Sequence, residues 1–407
     1  MTLLTVMVSC KGSVDEGDSY DEVYEPIELN NRSRATAENL EEFYTVLTRD
    51  VAEYVDTQEG DKNFVISPLS ASMVLAMMGN AVEGELRDEI ITYLGLEDLE
   101  GMNELAAVLL EKLPAMDKKT RLTLANSVWA NDEYTLEDSF VKDMEGYYRS
   151  EINYFDAGNP GVSASRINGW CSSNTGGRIK DYIDAEMISP YLLTILLNAM
   201  DFKSRWRTLE LFQTYNTTER AFHGLSGETM VKTMVSRSSP TVCYMDEELT
   251  YIRLLFGNAA FGLEIIMPSR GEDIVALPGV LERELSEIRG NSQIFSSVIV
   301  TLPRFKTSTK LELNDALKRG GLSHLDMANL LTLFTDKTSG LITFRQKAMF
   351  EVDEDGARAV AVSSGEGKVM APMPSEPIEI NIDRPFMFFI TESSTGACVV
   401  SGRITDL

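Results

Sequence analysis

The chain has 407 residues, with 37 Lys+Arg against 63 Asp+Glu and a net charge of −26; at 43% apolar and 25% charged it has the composition of a folded chain with an ample core. That acidity excludes a surface built to neutralise nucleic-acid phosphates, anionic lipid or a heparin-like polyanion. Two histidines, His223 and His324, exclude a His-rich metal site, and four cysteines (Cys10, Cys171, Cys243, Cys398) without a CxxC pair point to neither a disulfide framework nor zinc, so no metal or cofactor is expected.

In chain order, Met1–Ser9 is apolar and ends at Cys10, after which the sequence turns acidic and polar. Small residues before a cysteine suit the end of a lipoprotein signal of bacterial type. Cys10 would then be lipidated and the chain held at a cell surface; a secreted soluble or periplasmic chain is the alternative. Residues 11–34 read as an acidic flexible linker. No Pro/Gly/Ser-rich break or repeat divides 35–407, which is expected to be one domain.

Helical spacing of Leu40, Phe43, Tyr44, Leu47, Val51 and Val55 predicts a helix over 35–56. Ser67 as N-cap and Pro68 at the first helical position open a second. Two short helices follow near 83–94 and 101–113. The period then changes. Residues 122–129, 194–202, 249–256, 261–267, 297–303, 349–352, 378–382, 386–391 and 397–404 read as strands, with Ser393–Gly396 a hairpin turn. Helices before strands, with little βαβ alternation, predict an α+β fold with large mixed or antiparallel sheets.

One segment does not fit an ordinary connection. Residues 354–377 lie between two strands, and such links typically run about 4–6 residues. Ala357, Ala359, Ala361, Ser363, Gly365, Gly367 and Val369 are all small and uncharged, while every charge falls on the interleaved set from Arg358 to Met370. Period two is the strand period. The loop is therefore patterned to become a strand with one crowded face, which marks a two-state element. Gly356 supplies a hinge before it, and Pro372, Pro374 and Pro377 end its strand capability.

At these residues the chain resembles the serpin family. Asn63–Ser70 (NFVISPLS) is similar to that family's NxVxSPLS. Leu124–Asn126, Ile167–Trp170, Leu197–Ala199, Phe202–Trp206, Leu302–Lys306, Lys347-Ala348, Glu351–Gly356, Asp383–Phe386 and Gly402-Arg403 also fit, in order and spacing, over about 35–407. The resemblance implies three β-sheets, eight or nine helices and an exposed reactive-centre loop. It implies a suicide inhibitor of serine proteases, acting as a monomer in a covalent 1:1 complex, rather than an enzyme. The protease acylates itself on the loop, the cleaved loop inserts into the central sheet, and the protease is trapped before deacylation.

The family's hinge pattern maps onto Glu354, Gly356, Ala357, Ala359 and Ala361, with Ala357 in place of the usual hydroxyl residue. Its counting from the hinge glycine implies Met370-Ala371 as the attacked bond, with Lys368 and Val369 as alternatives. These residues together suit elastase-, cathepsin G- or chymotrypsin-like targets, trypsin-like ones, or papain-like cysteine proteases. Ser67, Ser70, Asn198 and Gln346 are implied beneath the opening sheet, with Gln346 where many members carry His, and Trp206 near the top of that sheet. A non-inhibitory carrier or chaperone on the same fold is the alternative; Pro or charge at Ala357, Ala359 or Ala361 would have favoured it.

Overall fold

The computed structural model describes residues 23–60, 62–208, 211–269, 285–327, 329–340, 344–357 and 376–407. Cys10, Ala359, Ala361 and Lys368–Ala371 lie outside the described residues. Eight α-helices are present among those described: α1 (Asn31–Glu59), α2 (Pro68–Gly79), α3 (Glu85–Tyr93), α4 (Leu99–Lys112), α5 (Asp138–Tyr148), α6 (Pro160–Asn174), α7 (Leu285–Asn291) and α8 (Asn314–Arg319).

The predicted apolar face of α1 is buried in full, Leu40 to Val55. Its start is a correction. The helix begins at Asn31, because the Asn30 side chain caps it by accepting from the Ser33 backbone N–H at 2.8 Å. The linker reading of 11–34 therefore fails at its C-terminal end. Ile27 is buried, its N–H donating to Ser394 Oγ at 3.0 Å, and the Tyr24 N–H reaches Asn258 O. Helix α2 is capped by Ser67 with Pro68 at its first position, and every residue in it is buried, which is why it lacks a polar face. The expectation of helices first and strands later also needs correction, since α5 to α8 alternate with strands.

The largest sheet runs β1 (Phe64–Ile66), β18 (Cys398–Ile404), β17 (Phe386–Glu392), β9 (Phe261–Pro268), β8 (Leu249–Phe256), β7 (Ser239–Met245), β10 (Gln293–Pro303), β6 (Gly227–Val235) and β5 (Thr218–Gly224), with β16 (Ile378–Asn381) parallel to β10. The turn between β17 and β18 is the Ser393–Gly396 hairpin, held by the Glu392 carboxylate accepting from the Ser394 and Thr395 N–H groups. Beside this sheet stand β2 (Arg121–Asn131), β3 (Glu151–Phe155) and β4 (Thr194–Arg205), with β2 antiparallel to β4 and parallel to β3. A separate antiparallel pair joins β11 (Phe305–Glu312) to β14 (Arg345–Val352); β12 (Asn329–Leu330) and β13 (Ser339–Gly340) form a small ladder of their own.

Phe305, Phe350, Phe386 and Phe388 cluster with centroids 5.2–6.4 Å apart and fasten the β11–β14 pair to the large sheet. The result is an α+β fold with several sheets. Among the described residues Cys171, Cys243 and Cys398 are free and buried, and no helix is long and apolar enough to cross a membrane.

Candidate functional site at the cleft between β4 and β14

Among the described residues no backbone ladder joins β4 to β14. A narrow cleft separates them. It is lined by Asn198, Met200 and Phe202 of β4, by Gln346 to Phe350 of β14, and by Ser67 and Ser70 beneath. Its free volume is about 30 Å³, room for one water.

At the floor, Gln346 holds both backbone polar groups of one residue. Its Oε1 accepts from the Ser67 N–H at 2.9 Å and its Nε2 donates to Ser67 O at 2.8 Å. Ser67 Oγ donates to Ser70 Oγ at 2.8 Å. Asn198 Nδ2 donates to Asn126 Oδ1 at 2.8 Å, while the buried Asn198 Oδ1 has no partner among the described residues. Gln346 and Asn198 thus line the same cleft from opposite strands without bonding each other.

At the mouth, the chain leaving β14 turns through Asp353–Asp355 and enters β15 (Gly356–Ala357), which pairs antiparallel with β4 in the register Gly356↔Arg205 and Ala357↔Ser204. Asp353 and Gly356 exchange backbone hydrogen bonds of 3.1 and 3.2 Å across the turn. Trp206 Nε1 donates to Asp353 O at 3.0 Å, and its buried ring stacks on Phe256 with centroids 4.8 Å apart. Glu354 is bound by Arg304 at 2.5 Å and by the Thr217 hydroxyl. Burial pushes the Glu354 carboxyl up, but hydrogen bonds from Arg304 and Thr217 outweigh it and hold the group below its ordinary range. Burial raises Asp353 and Asp355, with neighbouring carboxylates adding to it.

A strap crosses the outer face of the cleft. Asn168 on α6 accepts from the Tyr182 and Ile183 N–H groups at 2.7 and 2.9 Å, shaping the segment after the helix. That segment reaches β14 through Asp181–Lys347 at 2.5 Å and through the Tyr182 hydroxyl donating to Arg345 O at 3.0 Å. Arg178 of the same segment pairs with Asp201 on β4.

The structure therefore brings Glu354, Gly356 and Trp206 together at the mouth, and Ser67, Ser70, Asn198 and Gln346 at the floor. Reading the sequence missed Arg304 and Thr217 as partners of Glu354, and missed the Asp181–Tyr182 strap. Arg304 lies inside one of the quoted motifs, but nothing local marks it as a partner. No group of His, Cys, Asp and Glu able to hold a metal occurs among the described residues.

Residues 42–407 match the family profile described as Serpin (serine protease inhibitor). The chain belongs to the serpin family. This serpin is 27% identical over 357 residues to serine protease inhibitor 42Dd of Drosophila melanogaster, spanning 86% of the chain and 93% of that protein. It is 27% identical over 358 residues to a serine protease inhibitor of Cyanea capillata, spanning 85% and 93%. Its fold superimposes on native Tengpin, a thermophilic serpin, with a TM-score of 0.79, at 24% identity, covering 95% of this chain and 97% of that one.

Proposed function

We propose that this serpin is a suicide-substrate inhibitor of serine-type endopeptidases. The observation that carries the reading is the direction and register of β15, which starts a strand between β4 and β14 at the mouth of an unpaired cleft. Continued, that register sets residue 367 opposite Thr194 and so matches the full length of β4. It also sets Ala359, Ala361 and Ser363 opposite Phe202, Met200 and Asn198, the β4 residues lining the cleft. A strand inserted in that register would put the small, uncharged set of the loop on the crowded face, with Ser363 opposite Asn198, whose Oδ1 has no partner among the described residues.

In this reading a protease nucleophile attacks the Met370 carbonyl, Ala371 departs as the new amine, and the acyl-enzyme is carried as residues 358–370 add a strand. Roughly ten new backbone hydrogen bonds at about 1 kcal/mol each drive the step before burial is counted. Lys368 and Val369 remain alternative sites of attack. Small and apolar residues before the bond favour elastase-, cathepsin G- or chymotrypsin-like targets, with trypsin-like and papain-like proteases further candidates.

Incubation with neutrophil elastase, cathepsin G, trypsin, subtilisin and papain tests the reading. A denaturant-stable band at the summed masses and a released peptide beginning at Ala371 are expected. A peptide beginning at Val369 or Met370 moves the bond to Lys368 or Val369. Clean cleavage by every protease without a covalent band overturns inhibition and leaves a carrier or chaperone role.

A further inference from the structure

His324 lies on the turn after α8 and faces α3. Its Nε2 is 2.8 Å from Glu85 Oε2, and its Nδ1 is 2.7 Å from Glu89 Oε1. Helical spacing of four places both carboxylates on one face of α3. The His324 backbone N–H donates to Glu89 Oε2 at 3.0 Å, and the Ser323 hydroxyl donates to Glu89 Oε1 at 2.5 Å. We propose that His324, Glu85 and Glu89 form a proton-operated clip fastening the segment between α8 and β14 to α3.

The argument is one of donor count. A carboxylate only accepts, and a neutral imidazole donates from one nitrogen and accepts at the other. Two ring nitrogens facing two carboxylates favour the imidazolium, the Ser323 Oγ at 3.2 Å from Nδ1 being the one donor near that nitrogen when it is neutral. On deprotonation one contact becomes acceptor against acceptor. The hydrogen bond to Glu89, then the charges of Glu89 and Glu85, raise the imidazole above its ordinary range against a desolvation cost. The neighbouring charges are engaged elsewhere: Lys318 with Asp315 and Asp326, and Lys337 with Glu83. Arg87 and Asp88 also lie on α3, Asp88 lining a surface cavity toward α1. His223, the other histidine of the chain, is on β5, 3.4 Å from Glu228.

A raised imidazole stabilises the fold at pH below its unfolded value of about 6.5 and loses that contribution as pH climbs through the folded value. Farther along, the segment is also held by the Thr332 N–H to Ala81 O and the Glu137 N–H to Leu333 O, so release of the clip frees only its first part; the second step is that this loosening reaches β14, one wall of the cleft. That second step rests on the inhibitory reading; the clip itself does not. With labelled histidine, NMR titration resolves two imidazoles, assigned through His324→Gln; His324 is expected to titrate above about 6.5. The wild-type advantage in unfolding midpoint over His324→Gln should shrink by about 1–3 °C between pH 6 and 8.5. Glu85→Gln, at an exposed position, should reduce the span and serves if His324→Gln does not fold. A pH-independent advantage, or titration at or below the ordinary range, overturns the clip. Where inhibition is found, the activity half-life should shorten from pH 6 to 8.5 in wild type more than in His324→Gln; equal shortening overturns the coupling to β14. Absence of inhibition overturns only the proposed function, since the titration and unfolding arms are unaffected.

Discussion

Gly356 packs directly on the backbone of β4: a Cβ at this position would lie 2.8 Å from Arg205 Cα, 3.0 Å from Trp206 N and closer still to the Ser204 carbonyl oxygen. Its φ of +130° adds a second requirement for glycine. The loop can start down the cleft only because this residue has no side chain.

Gly356→Ala should therefore expel β15 from the mouth. The strain is worth about 1–3 kcal/mol, read as a lower unfolding midpoint. Amide exchange at Ser204–Trp206 should accelerate in the same variant. Unchanged exchange there, with the midpoint unmoved, would show that the pairing carries no stability.

The Glu354–Arg304 pair predicts an acid-sensitive mouth. Its carboxyl is held below the ordinary range, so the stability it gives is present above the unfolded value of about 4.3 and lost as pH falls through the folded one. Asp353 and Asp355 are raised, so they act with the opposite sign and in a higher window, their cost setting in as pH rises above the unfolded value of about 3.9. The difference between wild type and Glu354→Gln follows the pair: about 1.5–3 kcal/mol at pH 7, shrinking as pH falls below about 4.3, measured by denaturant unfolding. A gap that stays constant from pH 6 to 3 contradicts it.

The parts legible in the sequence are those fixed by neighbours along the chain. Ser67 and Pro68 announce a helix start, and the Leu40–Val55 spacing announces its buried face, because capping and period act within a turn or two. The start of α1 is the exception, since its cap is local, Asn30 to Ser33; what a local reading does not reveal is the packing ahead of it, where Ile27 depends on Ser394, 367 positions away. The cleft is hidden for the same reason: Gln346 reaches Ser67 over 279 positions, and Lys347 reaches Asp181 over 166. The family motifs placed Gln346 and Asn198 in one neighbourhood, yet only the fold assigns Gln346 to the Ser67 backbone.

That assignment separates two substitutions. Gln346→Ala orphans the Ser67 N–H and C=O together, at about 1–3 kcal/mol per group. Gln346→Glu keeps an acceptor for the N–H but cannot donate to the C=O when ionised. It also places an unpaired charge against the buried Ser67, so it should fold less stably than wild type at pH 7 and recover partly as pH falls through the carboxyl range. A Gln346→Glu unfolding midpoint equal to wild type at pH 7 would mean that the donor half of the amide is idle.

The strap makes the last prediction, and it is kinetic. Asp181 is largely exposed, so its pair with Lys347 contributes no more than about 1 kcal/mol. The Tyr182 hydroxyl bond to Arg345 O adds about 1 kcal/mol. Yet both contacts tie the segment after α6 to β14, while Arg178 ties it to β4 through Asp201. Widening the cleft must break one anchor or the other, so their loss should lower the barrier to strand entry more than it lowers resistance to unfolding. Combined Asp181→Ala and Tyr182→Phe should cost about 1–2 kcal/mol in the unfolding midpoint. The same variant should pass about tenfold faster into a loop-inserted, heat-resistant form, the rate equivalent of about 1.4 kcal/mol. If it unfolds faster but inserts at the wild-type rate, the segment after α6 is a surface decoration and the cleft opens without it.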